Sequence, residues 1–155
     1  MSGSTDYWVN SAVGQPYFVT HKTFHEGLIK TLTSDIILEL DKSVPHQPSA
    51  QALAANPLLH RYMIVFDGEG YSVPFFIELK KKRIAFCTYR KNVKNKWDVH
   101  QFKDYTVKDL SGEMVQMKLA ERDIYLTTMK EKGKPREIIR VREIRKLTAS
   151  GHQTS

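Results

Sequence analysis

The sequence predicts an α/β fold with an antiparallel β extension in its C-terminal half, and three observations predict it. Met63-Ile64-Val65-Phe66 is a four-residue apolar run closed by a carboxylate, Asp67, and the turn-forming Gly68-Glu69-Gly70; it reads as a fully buried strand. A helical pattern behind Ser72 and a second apolar run, Ile84 to Tyr89, follow within about 30 residues, the spacing of a βαβ unit with parallel strands and a right-handed crossover. Beyond Trp97 the texture changes to short strand-like runs separated by polar turns. The 155 residues suffice for one domain with a core, 1–95 forming its α/β portion and 96–155 a β-rich insertion.

Asp6 to His21 reads as a β-hairpin. Tyr7-Trp8-Val9 and Tyr17-Phe18-Val19 are aromatic and β-branched, and Val13-Gly14-Gln15-Pro16 between them is turn chemistry. Thr23-Phe24-His25-Glu26 matches a capping box, and Leu28, Ile29, Leu32, Ile36, Ile37 and Leu40 keep helical spacing, so a helix is expected over 24–41. Pro45, Pro48 and Pro57 mark a surface connection with a short helix at Gln51 to Ala55. After the strand ending at Asp67, Ser72 can cap a helix that tolerates Pro74 in its first turn and buries Phe75, Phe76 and Leu79. Phe102 to Val107, Met114 to Leu119, Ile124 to Thr128 and Ile138 to Ile144 are expected strands, and 148–155 is a polar terminus without an evident closing element.

The formal net charge is +7, and it is clustered. Lys80, Lys81, Lys82, Arg83, Arg90, Lys91, Lys94 and Lys96 lie in a stretch without an acid; Lys130, Lys132, Lys134, Arg136, Arg140, Arg142, Arg145 and Lys146 form a second group diluted by Glu131, Glu137 and Glu143. Such clusters suit a nucleic-acid backbone, and solvated lysines at helix ends explain them equally well. No apolar run reaches the roughly 18 residues that span a bilayer, so no membrane partner is expected. The start carries no basic-then-apolar signal, and the single Cys87 cannot form an internal disulfide; both fit a cytoplasmic protein.

Asp67 is the strongest candidate site residue. A carboxylate at the C-terminal end of a parallel strand is where α/β sheets present catalytic or metal-holding groups, and hard cations such as magnesium prefer such oxygens. The alternative is an aspartate that merely caps the following turn. Glu69 is a second candidate ligand, and Glu121 and Asp123 could join only if the fold brings them near. The histidines show no i, i+4 pair on one helix, since His21 and His25 fall on the expected hairpin and helix respectively, and they have no cysteine partner, so zinc is not expected. Cys87 reads as packing within an apolar strand. Gly68-x-Gly70 lacks the third glycine of a dinucleotide fingerprint, and no P-loop lysine follows. Tyr89, Trp97, Phe102 and Tyr105 interleave with the first basic cluster and suit base stacking or sheet packing.

Several segments in order resemble bacterial insertion-sequence transposases with a DDE-type catalytic domain. They are Thr5-Asp6-Tyr7-Trp8-Val9-Asn10 with Gly14-Gln15-Pro16-Tyr17-Phe18, His60-Arg61 leading into Val65-Phe66-Asp67-Gly68-Glu69-Gly70-Tyr71-Ser72, Arg83-Ile84-Ala85, Thr88-Tyr89-Arg90-Lys91, Met117-Lys118-Leu119-Ala120-Glu121-Arg122, and Arg142-Glu143-Ile144-Arg145-Lys146-Leu147-Thr148 with Ser150-Gly151-His152-Gln153-Thr154-Ser155. The resemblance implies a ribonuclease-H-like core in which two aspartates and a glutamate hold two Mg2+ (or Mn2+) ions for DNA strand cleavage and transfer. It places Asp67 at the second aspartate, sets the first upstream of Thr5 and the glutamate beyond Thr154, and departs at Gly68, where the family tends to carry arginine.

On this resemblance the chain is expected to be an internal fragment of a transposase, binding DNA and catalytically incomplete, with Asp6 and Glu121 the nearest substitutes for the other acids. An open edge on the Asp6–His21 hairpin would favour a homodimer. Two further readings are a non-enzymatic basic module for nucleic acid or protein, and a small metal-dependent nuclease using Asp67, Glu69, Glu121 and Asp123.

Overall fold

The computed structural model describes residues 4–23, 26–91, 93, 95–130, 132–133 and 135–155. It is a mixed α/β structure that divides into two compact units, Met1–Gly70 with Leu79–Cys87, and Tyr71–Glu78 with Thr88–Ser155.

In the first unit, β1 (Thr5–Asn10) and β2 (Pro16–Lys22) form the expected antiparallel hairpin, with Asp6 opposite His21 and Trp8 opposite Val19. The helical region starts later than its periodicity predicts. Thr23 does not cap it: the first helix, α1 (Leu28–Thr31), begins after Gly27, whose φ of 88° is a conformation that favours glycine and ends helical continuity on its N-terminal side. Phe24 and His25 of the expected capping box lie outside the described residues. A π-helical turn, Leu32–Ile36, carries the helix into α2 (Ile37–Ser43), and Leu32, Ile36, Ile37 and Leu40 are buried along it.

The proline-bounded connection folds around α3 (Ala50–Ala55), capped by the Ser49 hydroxyl, which accepts from the Ala52 N–H at 3.1 Å. A polar network then fixes the entry to the next strand. Tyr62 donates its hydroxyl to Asp41 at 2.5 Å, and Arg61 reaches Asp41 at 2.9 Å and the Gln47 side-chain oxygen at 2.9 Å. Burial, and then the Asp41 hydrogen bond, push the Tyr62 hydroxyl well above its ordinary pKa, so it stays a donor.

β3 (Met63–Phe66) and β4 (Ala85–Thr88) pair as a two-stranded sheet joined through α4 (Val73–Lys81). Arg61 N–H donates to the Arg83 carbonyl and Ala85 N–H to the Tyr62 carbonyl, bonds that advance along both segments together as in a parallel pair. β3 is not fully buried as its composition predicts. Ile64 is packed, but Met63 and Val65 are 64% and 72% exposed, because a single two-stranded layer covers one face only. Cys87 is likewise exposed, not packed.

The end of α4 is closed by a residue in glycine's usual role. Arg83 has φ 58°, Ile84 N–H returns to the Leu79 carbonyl at 2.9 Å, and the Arg83 guanidinium donates to the Asn56 carbonyl at 2.6 Å and to the Leu59 carbonyl. These bonds to main-chain oxygens hold Arg83 in the left-handed conformation.

The second unit is built on a four-stranded antiparallel sheet, β5 (Lys103–Lys108), β6 (Met114–Thr127), β7 (Ile138–Leu147) and β8 (Gln153–Thr154), in that order. The runs Met114 to Leu119 and Ile124 to Thr128 are one strand, not two. Ala120-Glu121-Arg122-Asp123 carries no glycine or proline to break it, and two of its charges face opposite charges across the ladder, Arg122 opposite Glu143 and Asp123 opposite Arg142. The polar terminus does supply a closing element: β8 pairs with Lys146 and Leu147, and the Gln153 amide donates to the Trp97 carbonyl and accepts from its N–H, both at 2.8 Å. Trp97, Phe102 and Ala120 form a small buried cluster beneath this tie.

Candidate functional site

Asp67 follows the last residue of β3 and is exposed, at the lip where the parallel strand ends. A short 3-10 turn, Gly68–Gly70, begins there, and Asp67 Oδ1 accepts from the Glu69 N–H at 2.9 Å, an Asx-type turn that fixes the carboxylate's direction. Glu69 is also exposed. The turn packs against Phe66 at Gly70: a Cβ there would stand 2.7 Å from Phe66 Cε2 and closer still to Cδ2. Gly70→Ala is therefore expected to displace the Phe66 ring and cost about 1–3 kcal/mol, a loss readable as a lower denaturation midpoint.

The other expected acids have partners of their own. Asp6 is bonded to His21 Nδ1 at 2.6 Å on the β1–β2 hairpin. Glu121 and Asp123 belong to the second unit's sheet, where they pair with Arg142 (3.6 Å) and Arg140. Among the described residues no group of three or more His, Cys, Asp or Glu side chains is placed to hold a metal ion.

The basic residues separate into distinct fates. Lys80, Lys81 and Lys82 are exposed at the C-terminal end of α4, where their charge suits the helix dipole. Lys91 and Lys96 are exposed on the second unit; Lys94 and Lys134 lie outside the described residues. Arg83 is spent on the carbonyls of Asn56 and Leu59. Arg140, Arg142 and Lys146 project from the exposed side of β7. Arg145, expected among the phosphate contacts, is 2% exposed and beyond the reach of a phosphate. Alternation along β7 turns it to the packed side, where its guanidinium sits 4.3 Å from the Trp97 ring centroid, donates to Glu143 at 2.7 Å and bonds the Asn95 carbonyl.

That buried constellation was not anticipated as such. Glu143 is 4% exposed and also pairs with Arg90, while Arg122 lies 4.2 Å from the Trp97 centroid. Its signal was present in the strict alternation of Ile139, Val141, Glu143, Arg145 and Leu147 on one side of a strand, obscured because two of the five are charged. Arg90 therefore helps neutralise a buried carboxylate, and Tyr89 (69%) and Tyr105 (43%) remain exposed while Trp97 and Phe102 are core.

No helix among the described residues is long and apolar enough to cross a membrane. No curated protein and no solved structure matches the chain. The model of a family described as "Transposase protein" matches residues 1–155, the whole chain; the chain belongs to that transposase family.

Proposed function

We propose that this chain acts on DNA as part of a DDE-type, insertion-sequence transposase, with Asp67 as one acid of a ribonuclease-H-like centre. The observation that carries the reading is the exposed carboxylate at the C-terminal lip of β3, in a parallel strand–helix–strand unit of a transposase-family chain. Asp67, with Glu69 close by in sequence, offers the hard oxygen donors that a magnesium or manganese ion takes, and such an ion would supply Lewis-acid stabilisation to the attacking and leaving oxygens of phosphoryl transfer. Among the described residues no set of three or more potential ligands is assembled, so the reading rests on Asp67. What these residues do themselves is fix the direction of the Asp67 carboxylate through the Glu69 N–H and hold the turn against Phe66.

Sub-stoichiometric Mn2+ tests the assignment without an activity readout. Paramagnetic broadening of amide signals is expected to centre on Phe66 to Gly70 and to vanish in Asp67→Asn, with the remaining spectrum unchanged. Broadening that persists in the variant, or that centres elsewhere, overturns the role of Asp67. A second reading, a basic module that holds DNA without cutting it, draws on the exposed Lys80 to Lys82 and on the engagement of Glu121 and Asp123 by arginines. It predicts salt-dependent DNA binding with no localised Mn2+ effect.

A further inference from the structure

The β6–β7 hairpin has a stretch that neither Asp67 nor the helix-end lysines involve. β5 pairs with β6 only over Met114–Leu119, and β8 pairs with β7 only at Lys146 and Leu147. Between those limits Ala120–Thr127 and Ile138–Arg145 pair with each other alone, a two-stranded ribbon about 25 Å long at about 3.3 Å per residue. One face is packed through Ile139, Glu143 and Arg145; the other presents Tyr125, 70% exposed, beside Arg140, with Arg142 in the next row. The loop at the tip holds Met129, 90% exposed, and exposed Lys130, Lys132 and Arg136.

Positive charge gathers toward the tip: from Thr128 to Arg142 the sequence has six basic residues and two acidic ones, an excess of +4 within a chain of net +7, while Glu121 and Asp123 balance Arg140 and Arg142 on the open face. Asp123 and Glu121 hold Arg140 and Arg142 on the open face by charge-assisted contacts, so both guanidinium groups are prepositioned for a competing anion.

We propose that the open face and tip of the β6–β7 hairpin dock in the major groove of duplex DNA. A groove about 12 Å wide admits a two-stranded ribbon, whose strands lie about 4.8 Å apart. Lys130, Lys132 and Arg136 meet phosphates at the groove's rim, Arg140 and Arg142 exchange a carboxylate for a phosphate, and Tyr125 lies toward the base edges. The assignment rests on the DNA-acting reading above and names the surface that reading requires.

The test is fluorescence-anisotropy titration of a labelled duplex across a range of salt concentrations, comparing the wild type, Lys130→Ala/Lys132→Ala/Arg136→Ala, and a control outside both basic clusters, Lys30→Ala/Lys42→Ala, whose slope should stay at the wild-type value. Each lost phosphate contact lowers the slope of log affinity against log salt by about 0.9, so the triple variant should lose about 2.7 from the slope and bind at least tenfold more weakly at low salt. Lys132→Gln, as a milder change, should lose about one such contact. Wild-type binding that keeps its slope in the triple variant overturns the hairpin assignment and leaves the DNA reading intact. A wild type without salt-dependent binding overturns both. A triple variant that instead loses a sedimenting dimer, with duplex affinity unchanged, identifies the face as a self-association surface and overturns the assignment.

Discussion

Glu143→Ala is expected to destabilise the second unit by about 3–5 kcal/mol, the usual cost of removing one partner of a buried ion pair. The carboxylate serves two guanidinium groups. Arg145 is 2% exposed and cannot turn to water, whereas Arg90, on the other side of the same carboxylate, is partly exposed and can. The variant would leave the Arg145 charge against the Trp97 ring with the Asn95 carbonyl and the Gln153 side chain as its remaining contacts. Denaturant unfolding followed by Trp97 fluorescence reads the loss. Glu143→Met/Arg145→Met should recover most of it, because replacing both charges by apolar groups of similar volume removes the desolvation problem altogether. A single variant as stable as the wild type would mean that the pair is hydrated in solution.

Asp67→Asn is expected to have the largest functional effect. If the carboxylate holds a catalytic cation, the amide weakens a contribution of several kcal/mol to transition-state stabilisation, and transposition by the transposase of which this chain is a part should fall about 10³-fold. Duplex affinity should remain at the wild-type level, since the residue is not part of the basic surfaces. The substitution keeps the side chain's size and its amide oxygen can still accept from the Glu69 N–H, so the fold is expected to survive. Equal losses of binding and transposition would point to a DNA-positioning role for Asp67 instead of a chemical one.

The βαβ unit and the hairpin were legible because their signals are local. An aromatic pair of strands around Gly14, and an apolar run ended by Asp67, announce themselves within ten residues. The late start of α1 was not legible, since Thr23 and Glu26 satisfy a capping pattern and only the backbone of Gly27 decides against it. The merging of two expected strands into β6 depended on partners about 20 residues away: Glu121 and Asp123 read as a polar break until Arg142 and Arg140 stand nearby. The fate of Arg145 was hidden for the same reason. A charge run looks like a solvated face, and period-2 alternation, which sends every other member inward, outranks residue type when a carboxylate is already waiting there. Position along a strand thus accounts both for the exposed carboxylate where β3 ends and for the buried Arg145, whereas residue type alone misplaced the arginine.

The left-handed cap at the end of α4 puts two opposing demands on one codon. Glycine at Arg83 would relax the main chain by about 1 kcal/mol while unfastening the 56–59 bend, whose charge-assisted bonds are worth about 1.5–3 kcal/mol each. The loss outweighs the gain, so a melting curve would register a net destabilisation. The bend's freedom of movement, and with it the alignment of the strand that ends at Asp67, would be altered as well.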